Sequence, residues 1–157
     1  MCDDEPMPEP PSAGSATSAL STRLEALGRS LGDREAGHVE ALDRARAQAT
    51  RLRDEVIAGV ASFHDAVSAA GAPHLRIEVG PIRLDDKHLR AIEFELMRGR
   101  HRAIVVVKSR GEVTLVGPFR TGKNEGPCQS FPVDADAEIV SALALFLERF
   151  LEEAATP

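Results

Sequence analysis

The sequence predicts an α+β protein in which a long N-terminal helix, or a helical hairpin, precedes a four-stranded antiparallel β-meander and a C-terminal helix packed on the sheet. Three observations carry this prediction. Apolar residues recur every three or four positions between residues 33 and 70, which is the period of a helix. They alternate with polar residues between 75 and 116, which is the period of a strand. A broad apolar helical face then returns between 139 and 151.

Length and composition bound the class of protein. The 157 residues are 43% hydrophobic and 28% charged, as expected of one folded domain with an extension. No apolar run approaches the roughly 20 residues of a membrane span, so we expect no membrane partner. The only cysteines are Cys2 and Cys128, too few for a disulfide framework, and no secretory signal is visible. A cytoplasmic protein is therefore expected.

The first 72 residues divide into a tail and a helical extension. Residues 1–21 are rich in Pro, Ser, Ala and acids, and we expect a disordered acidic tail. Thr22 and Glu25 fit a capping box that starts a short helix. Gly32 followed by Asp33 predicts a break near Gly32, because Gly weakens a helix and Asp caps the next one; one kinked helix is the alternative. The extension therefore covers residues 22–72. Leucines at helical spacing begin just before it and continue in its first part: Leu20, Leu24, Leu27 and Leu31.

The long helix predicted from Asp33 to Ala70 is the clearest element. It would measure about 57 Å at 1.5 Å per residue, which exceeds the width of a small domain. Part of it should therefore pack on its own N-terminal helix or on another chain. Gly71 and Pro73 end the helix. The predicted interaction face consists of Val39, Leu42, Leu52, Val56, Val60, Phe63 and Val67.

The small α+β domain is predicted over residues 73–157. Short connections between its strands require antiparallel neighbours. The third strand, 103–107, is apolar on both faces, so an element should cover each face. One cover is the C-terminal helix, and the other is either the long helix or a second subunit.

Charge is unevenly distributed along the chain, although the total is −6. Residues 74–124 hold 11 Lys and Arg against 6 Asp and Glu, whereas both ends of the chain are acidic. The overall acidity argues against a dedicated nucleic-acid binder, but the basic sheet weakens that exclusion. Ordinary solvated loops are the favoured explanation, because basic turns are common. The candidate anion-binding rim consists of Arg98, Arg100, Arg102, Arg110, Arg120 and Lys123.

Two further motifs carry little chemistry. Residues 117–124 follow a strand and nearly spell a phosphate-binding P-loop, but Asn124 replaces the Ser or Thr and Pro127 prevents an immediate helix. Cys128 lies in a Gly/Pro loop, and a nucleophilic role would require a neighbouring base. The five His form no metal-binding motif, so neither a metal nor another cofactor is expected.

The sequence therefore predicts a non-catalytic protein–protein interaction or adaptor module. It would form a homodimer, or bind another protein, through the long helix, the sheet or both, because a domain of this size gains stability from a partner. The alternative is an anion- or nucleic-acid-binding module that uses the basic rim. A thiol-dependent enzyme acting through Cys128 is the third hypothesis.

Overall fold

The computed structural model describes residues 13–85, 90–122 and 126–155. It confirms the predicted α+β class: a long N-terminal helix, an antiparallel sheet and a C-terminal helix. The helices are α1 (Ala13–Ala69) and α2 (Asp136–Ala155). The strands are β1 (Glu78–Val79), β2 (Arg83–Leu84), β3 (Ala91–Arg98), β4 (His101–Lys108), β5 (Glu112–Arg120) and β6 (Cys128–Pro132).

Helix α1 is continuous over 57 residues, which differs from the predicted break near Gly32. The physical reason is that Gly costs a helix only about 1 kcal/mol and keeps its amide donor, whereas Pro removes it. No Pro lies between Ala13 and Ala69. The helix also begins before the predicted start at Thr22, so residues 13–21 of the predicted tail are helical. Residues 1–12 lie outside the described part of the chain.

The end of α1 follows the predicted Gly signal. Gly71 has a φ of 84°, in the left-handed region that favours glycine. The Gly71 amide donates to the Ser68 carbonyl at 3.1 Å, and the Ala72 amide donates to the Val67 carbonyl at 2.7 Å. This pair of bonds is a Schellman cap, and it turns the chain towards the sheet.

His64 ties the last part of α1 to the segment that enters the sheet. Its Nε2 accepts a hydrogen bond from the Ile77 backbone amide at 3.0 Å, so this nitrogen must be unprotonated. Burial lowers the pKa of His64 from its ordinary 6.5, and the Arg76 charge lowers it further, against a smaller opposing effect of Asp65.

We expect the protein to lose stability on mild acidification because of His64. Its folded-state pKa is below that of the unfolded chain, so its contribution is fully present above pH 6.5 and is lost as the pH falls through the folded pKa. His64→Ala should remove about 1 kcal/mol at neutral pH, the value of one hydrogen bond. Urea unfolding over this pH range should show a smaller pH dependence in the variant. An unchanged slope would exclude this role, and His74→Ala, at an exposed position, is the matched control.

The strands form one antiparallel sheet with the order β1-β3-β4-β5-β6. Both β1 and β2 pair with β3, and Gly80 and Pro81 separate them, so together they take the place of the first strand of the predicted four-stranded meander. Strand β6 pairs with β5 and was not predicted. Its sequence Cys-Gln-Ser-Phe-Pro lies between prolines and gives only a weak strand signal.

One face of the sheet carries the hydrophobic core. Phe94, Val105 and Leu115 are opposite one another on β3, β4 and β5, and each is at most 2% exposed. Buried residues of both α2 and the second half of α1 join this cluster. The sequence also predicted an element that covers the opposite face of the sheet. No such element is found among the described residues, and Ile104 and Val106 on that face of β4 are half-buried.

The chain divides into two compact units, residues 1–39 and residues 40–157. The second unit contains the sheet, α2 and the core residues of α1. The first unit contains the N-terminal part of α1, from Ala13 to Val39 among the described residues. The sequence instead predicted a division at residue 73. The two differ because a continuous apolar stripe does not reveal where a helix starts to pack on its own sheet.

Candidate protein-interaction site

The structure divides the predicted interaction face between the core and the surface. Leu52 and Val56 are fully buried and Val60 is 6% exposed, all within the core of their own chain. These three side chains are therefore not available to a partner, which corrects their assignment to the interaction face. Leu42 packs partly buried against the same core, and Phe63 and Val67 are half-buried. Val39 is 50% exposed.

An exposed apolar stripe lies instead in the first unit. Leu20, Leu24, Leu27 and Leu31 are 58%, 56%, 53% and 51% exposed. Every side chain described between residues 16 and 39 is exposed, so no part of this segment contributes to the core. The sequence showed the helical spacing of these leucines, but their exposure depends on tertiary packing, which that spacing does not determine.

The leucine spacing is that of a short coiled-coil seam. Steps of four, three and four residues place Leu20 and Leu27 at d positions and Leu24 and Leu31 at a positions of a heptad repeat. The positions that flank the seam are mostly small: Ser21, Gly28 and Ser30 at e and g, with Arg23 as the exception. Small flanking residues permit close approach of a second helix. The stripe therefore has the pattern that a partner helix recognises.

The composition of this segment makes it dependent on packing. Gly28, Gly32 and Gly37 each cost about 1 kcal/mol relative to Ala, and isolated helices of such length are marginal in water. Among the described residues of this segment, one Arg–Glu ion pair forms, between Arg29 and Glu25 at 3.5 Å. Both side chains are well exposed, and such a pair adds little stability. Burial of the leucines is the remaining source of stabilisation, and the segment itself does not supply it.

The predicted anion-binding arginines are largely engaged within the chain. Arg98 Nη1 donates to the Ala154 carbonyl at 2.7 Å and so caps the C-terminal end of α2. Arg102 pairs with Glu95 and donates to Thr121 Oγ1 at 3.1 Å. Arg110 contacts Glu112 at 3.3 Å.

Two arginines of the predicted rim remain exposed at one end of the sheet. Arg120 is opposite His101 on β4, and the backbone carbonyl of Arg100 accepts from the Thr121 amide at 2.7 Å. Neither guanidinium has a partner within the described residues. Lys123 lies outside the described residues. The remaining positive surface is therefore smaller than the sequence predicted.

Glu95 organises two of the sheet's arginines. Its side chain is 8% exposed, it accepts from Arg83 Nη2 at 3.2 Å, and it pairs with Arg102. The side chains of Arg83 and Arg102 are 50% and 35% exposed, so water still screens the two ion pairs. The pair is intermediate between an exposed ion pair and a fully buried one.

We expect Glu95→Ala to lower the free energy of unfolding by about 2 kcal/mol. This lies between the value of about 1 kcal/mol for exposed pairs and about 3–5 kcal/mol for breaking buried ones. Chemical denaturation measures the difference, and Glu78→Ala, at an exposed position of β1, is the control. Equal stability of the two variants would show that the Glu95 pairs contribute nothing.

Cys128 and the possible metal ligands were the other candidate chemical sites. The Cys128 thiol is exposed on β6, and no described side chain is hydrogen-bonded to it. Residues 13–85, 90–122 and 126–155 contain no group of three or more His, Cys, Asp or Glu side chains placed to hold a metal ion. Neither described helix combines the length and the apolar character needed to cross a membrane.

No protein family, curated protein or solved structure was found to match the chain. The fold and the leucine stripe describe it instead: an α+β protein whose N-terminal helical segment carries four exposed leucines at helical spacing.

Proposed function

We propose that the protein is a non-catalytic protein–protein interaction module that forms a homodimer through the N-terminal segment of α1. The leucine stripe formed by Leu20, Leu24, Leu27 and Leu31 is the observation that supports this proposal most strongly, because four large apolar side chains are all more than half exposed along one seam. Helix pairing would bury them and stabilise a segment that is marginal alone.

A second copy of the same segment is a suitable partner when the two helices run antiparallel. The two-fold axis of such a pair lies between Leu24 and Leu27. Leu24 of one copy is then opposite Leu27 of the other copy, and Leu20 of one copy is opposite Leu31 of the other. The next seam position, Arg34, then faces Thr17 of the other copy. A parallel pair would instead place Arg34 against Arg34, and like charges at close range oppose association. Self-pairing is therefore favoured in the antiparallel direction.

Sedimentation equilibrium of the full chain tests the proposal. We expect a reversible monomer–dimer equilibrium that responds to concentration in the micromolar range. Because apolar burial drives it, the association should persist when the salt concentration is raised. A strict monomer at high micromolar concentration would overturn the proposal.

A further inference from the structure

A second surface, separate from the leucine stripe, lies at the β6 edge of the sheet. Strand β6 pairs with β5 on one side, and no strand among the described residues pairs with its other side. Native strand edges are commonly protected by charged side chains, by Pro or by a bulge, because an open edge attracts a further strand. Strand β6 carries no charged residue, and its one Pro is at its C-terminal end; its residues are Cys128, Gln129, Ser130, Phe131 and Pro132.

The hydrogen-bond pattern shows which backbone groups face outward. The Gly117 amide donates to the Pro127 carbonyl at 2.8 Å, and the Val133 amide donates to the Gly111 carbonyl at 2.9 Å. In an antiparallel ladder the bonded residues alternate, so Gln129 and Phe131 also bond to β5. Cys128 and Ser130 therefore direct their amides and carbonyls away from the sheet, and offer two donors and two acceptors to an added strand.

A groove adjoins this open edge on the side of α2. It has a volume of about 500 Å³ and lies between Gln129 and Phe131 of β6 and the first turns of α2. Leu145, at its α2 wall, is 68% exposed and is the most exposed large apolar side chain described. The other α2 residues that line the groove are Ala137, Glu138, Ser141 and Ala142.

We infer that the β6 edge and this groove bind an extended peptide segment of another protein by β-strand addition. The added strand would bond to Cys128 and Ser130, and every second side chain would enter the groove beside Phe131 and Leu145. Those side chains are apolar except at one groove-facing position, where a Lys or Arg would pair with Glu138. Glu138 has no cationic partner among the described residues. The partner is therefore an extended segment with alternating apolar residues and a basic residue.

Selection of a displayed random peptide library on the full-length chain tests this inference. We expect enrichment of peptides that alternate apolar and polar residues and include a Lys or Arg. Leu145→Glu should weaken their binding at least tenfold, because it removes an apolar contact and forces a carboxylate to be desolvated against the apolar side chains of the peptide. Ala144→Glu introduces the same charge on α2 outside the groove lining and should leave binding within about twofold.

A backbone variant tests the strand pairing itself. Ser130→Pro removes an outward amide donor and should weaken binding at least tenfold, whereas Ser130→Ala keeps the amide and should not. Thermal unfolding identifies a Pro variant that fails to fold, in which case the Leu145 and Ala144 pair decides.

Three results would overturn the inference: no enrichment, selected peptides that bind Leu145→Glu as tightly as the unmodified chain, or occupation of the edge by a second copy. The last would appear as a dimer that persists when the leucine stripe is disrupted and dissociates in Leu145→Glu. Failure of the proposed helix-mediated dimer would leave peptide binding unaffected, so the two proposals are tested separately.

Discussion

Replacing two leucines of the exposed stripe with carboxylates, in Leu24→Glu/Leu27→Glu, should dissociate the proposed dimer. The proposed antiparallel pairing would place these four side chains of the two copies at the centre of the interface, where central residues contribute most of the binding energy. A loss of about 2 kcal/mol or more for each site raises the dissociation constant at least about 100-fold. Sedimentation equilibrium measures this change.

The same substitutions should also reduce helix content, because the N-terminal segment of α1 is marginal without a partner. Far-ultraviolet circular dichroism measures this effect. The control Thr22→Glu/Ala26→Glu adds the same charge on the opposite face of the helix and should leave the dimer intact. Equal association of the two double variants would show that the leucine stripe is not the interface.

Leu52→Ala should have the largest effect on folding. Leu52 is fully buried where α1 joins the core of the sheet unit, and truncation of such a side chain costs about 2–5 kcal/mol. We expect the free energy of unfolding in urea to fall by about 3–4 kcal/mol. The protein concentration is held fixed, because the stability of a dimer would depend on it.

Ile57 provides the matched control for this prediction. It lies on the same part of α1 but is 38% exposed, so Ile57→Ala should cost less than about 1 kcal/mol. If the middle of α1 were a partner-binding surface, Leu52→Ala would weaken dimerisation and leave the unfolding of the monomer nearly unchanged. That outcome would contradict the assignment of Leu52 to the core.

Much of the fold could be predicted because local patterns determine it. The alternation of Ile92, Phe94 and Leu96 predicted β3, and Gly71 predicted the end of α1 at its Schellman cap. The break at Gly32 was not found, because helix propensity gives only a small energetic bias. Strand β6 was missed because its pairing with β5 is a non-local interaction, which its Pro-flanked sequence does not reveal.

The candidate site was harder to predict than the fold. The stripe through Leu52 and the stripe through Leu24 have the same helical spacing, yet one is buried and the other exposed. Leu52 belongs to the core of the second unit, which the spacing alone does not show. The candidate anion-binding rim was hard to predict for the same reason. The sequence did not show that Arg98 caps α2 or that Arg102 pairs with Glu95.

The distance between spin labels on the two copies tests whether the N-terminal segments of α1 pair in the antiparallel direction. A single label at Ala36→Cys, in a chain with Cys2→Ser and Cys128→Ser, lies on the outer face of the paired segment. An antiparallel pair centred between Leu24 and Leu27 separates the two labels by about 35–40 Å, from a rise of 1.5 Å per residue and the width of two helices. We expect this distance when it is measured by pulsed electron paramagnetic resonance. No dipolar coupling between copies, or a distance near the roughly 20 Å width of a parallel pair, would contradict it.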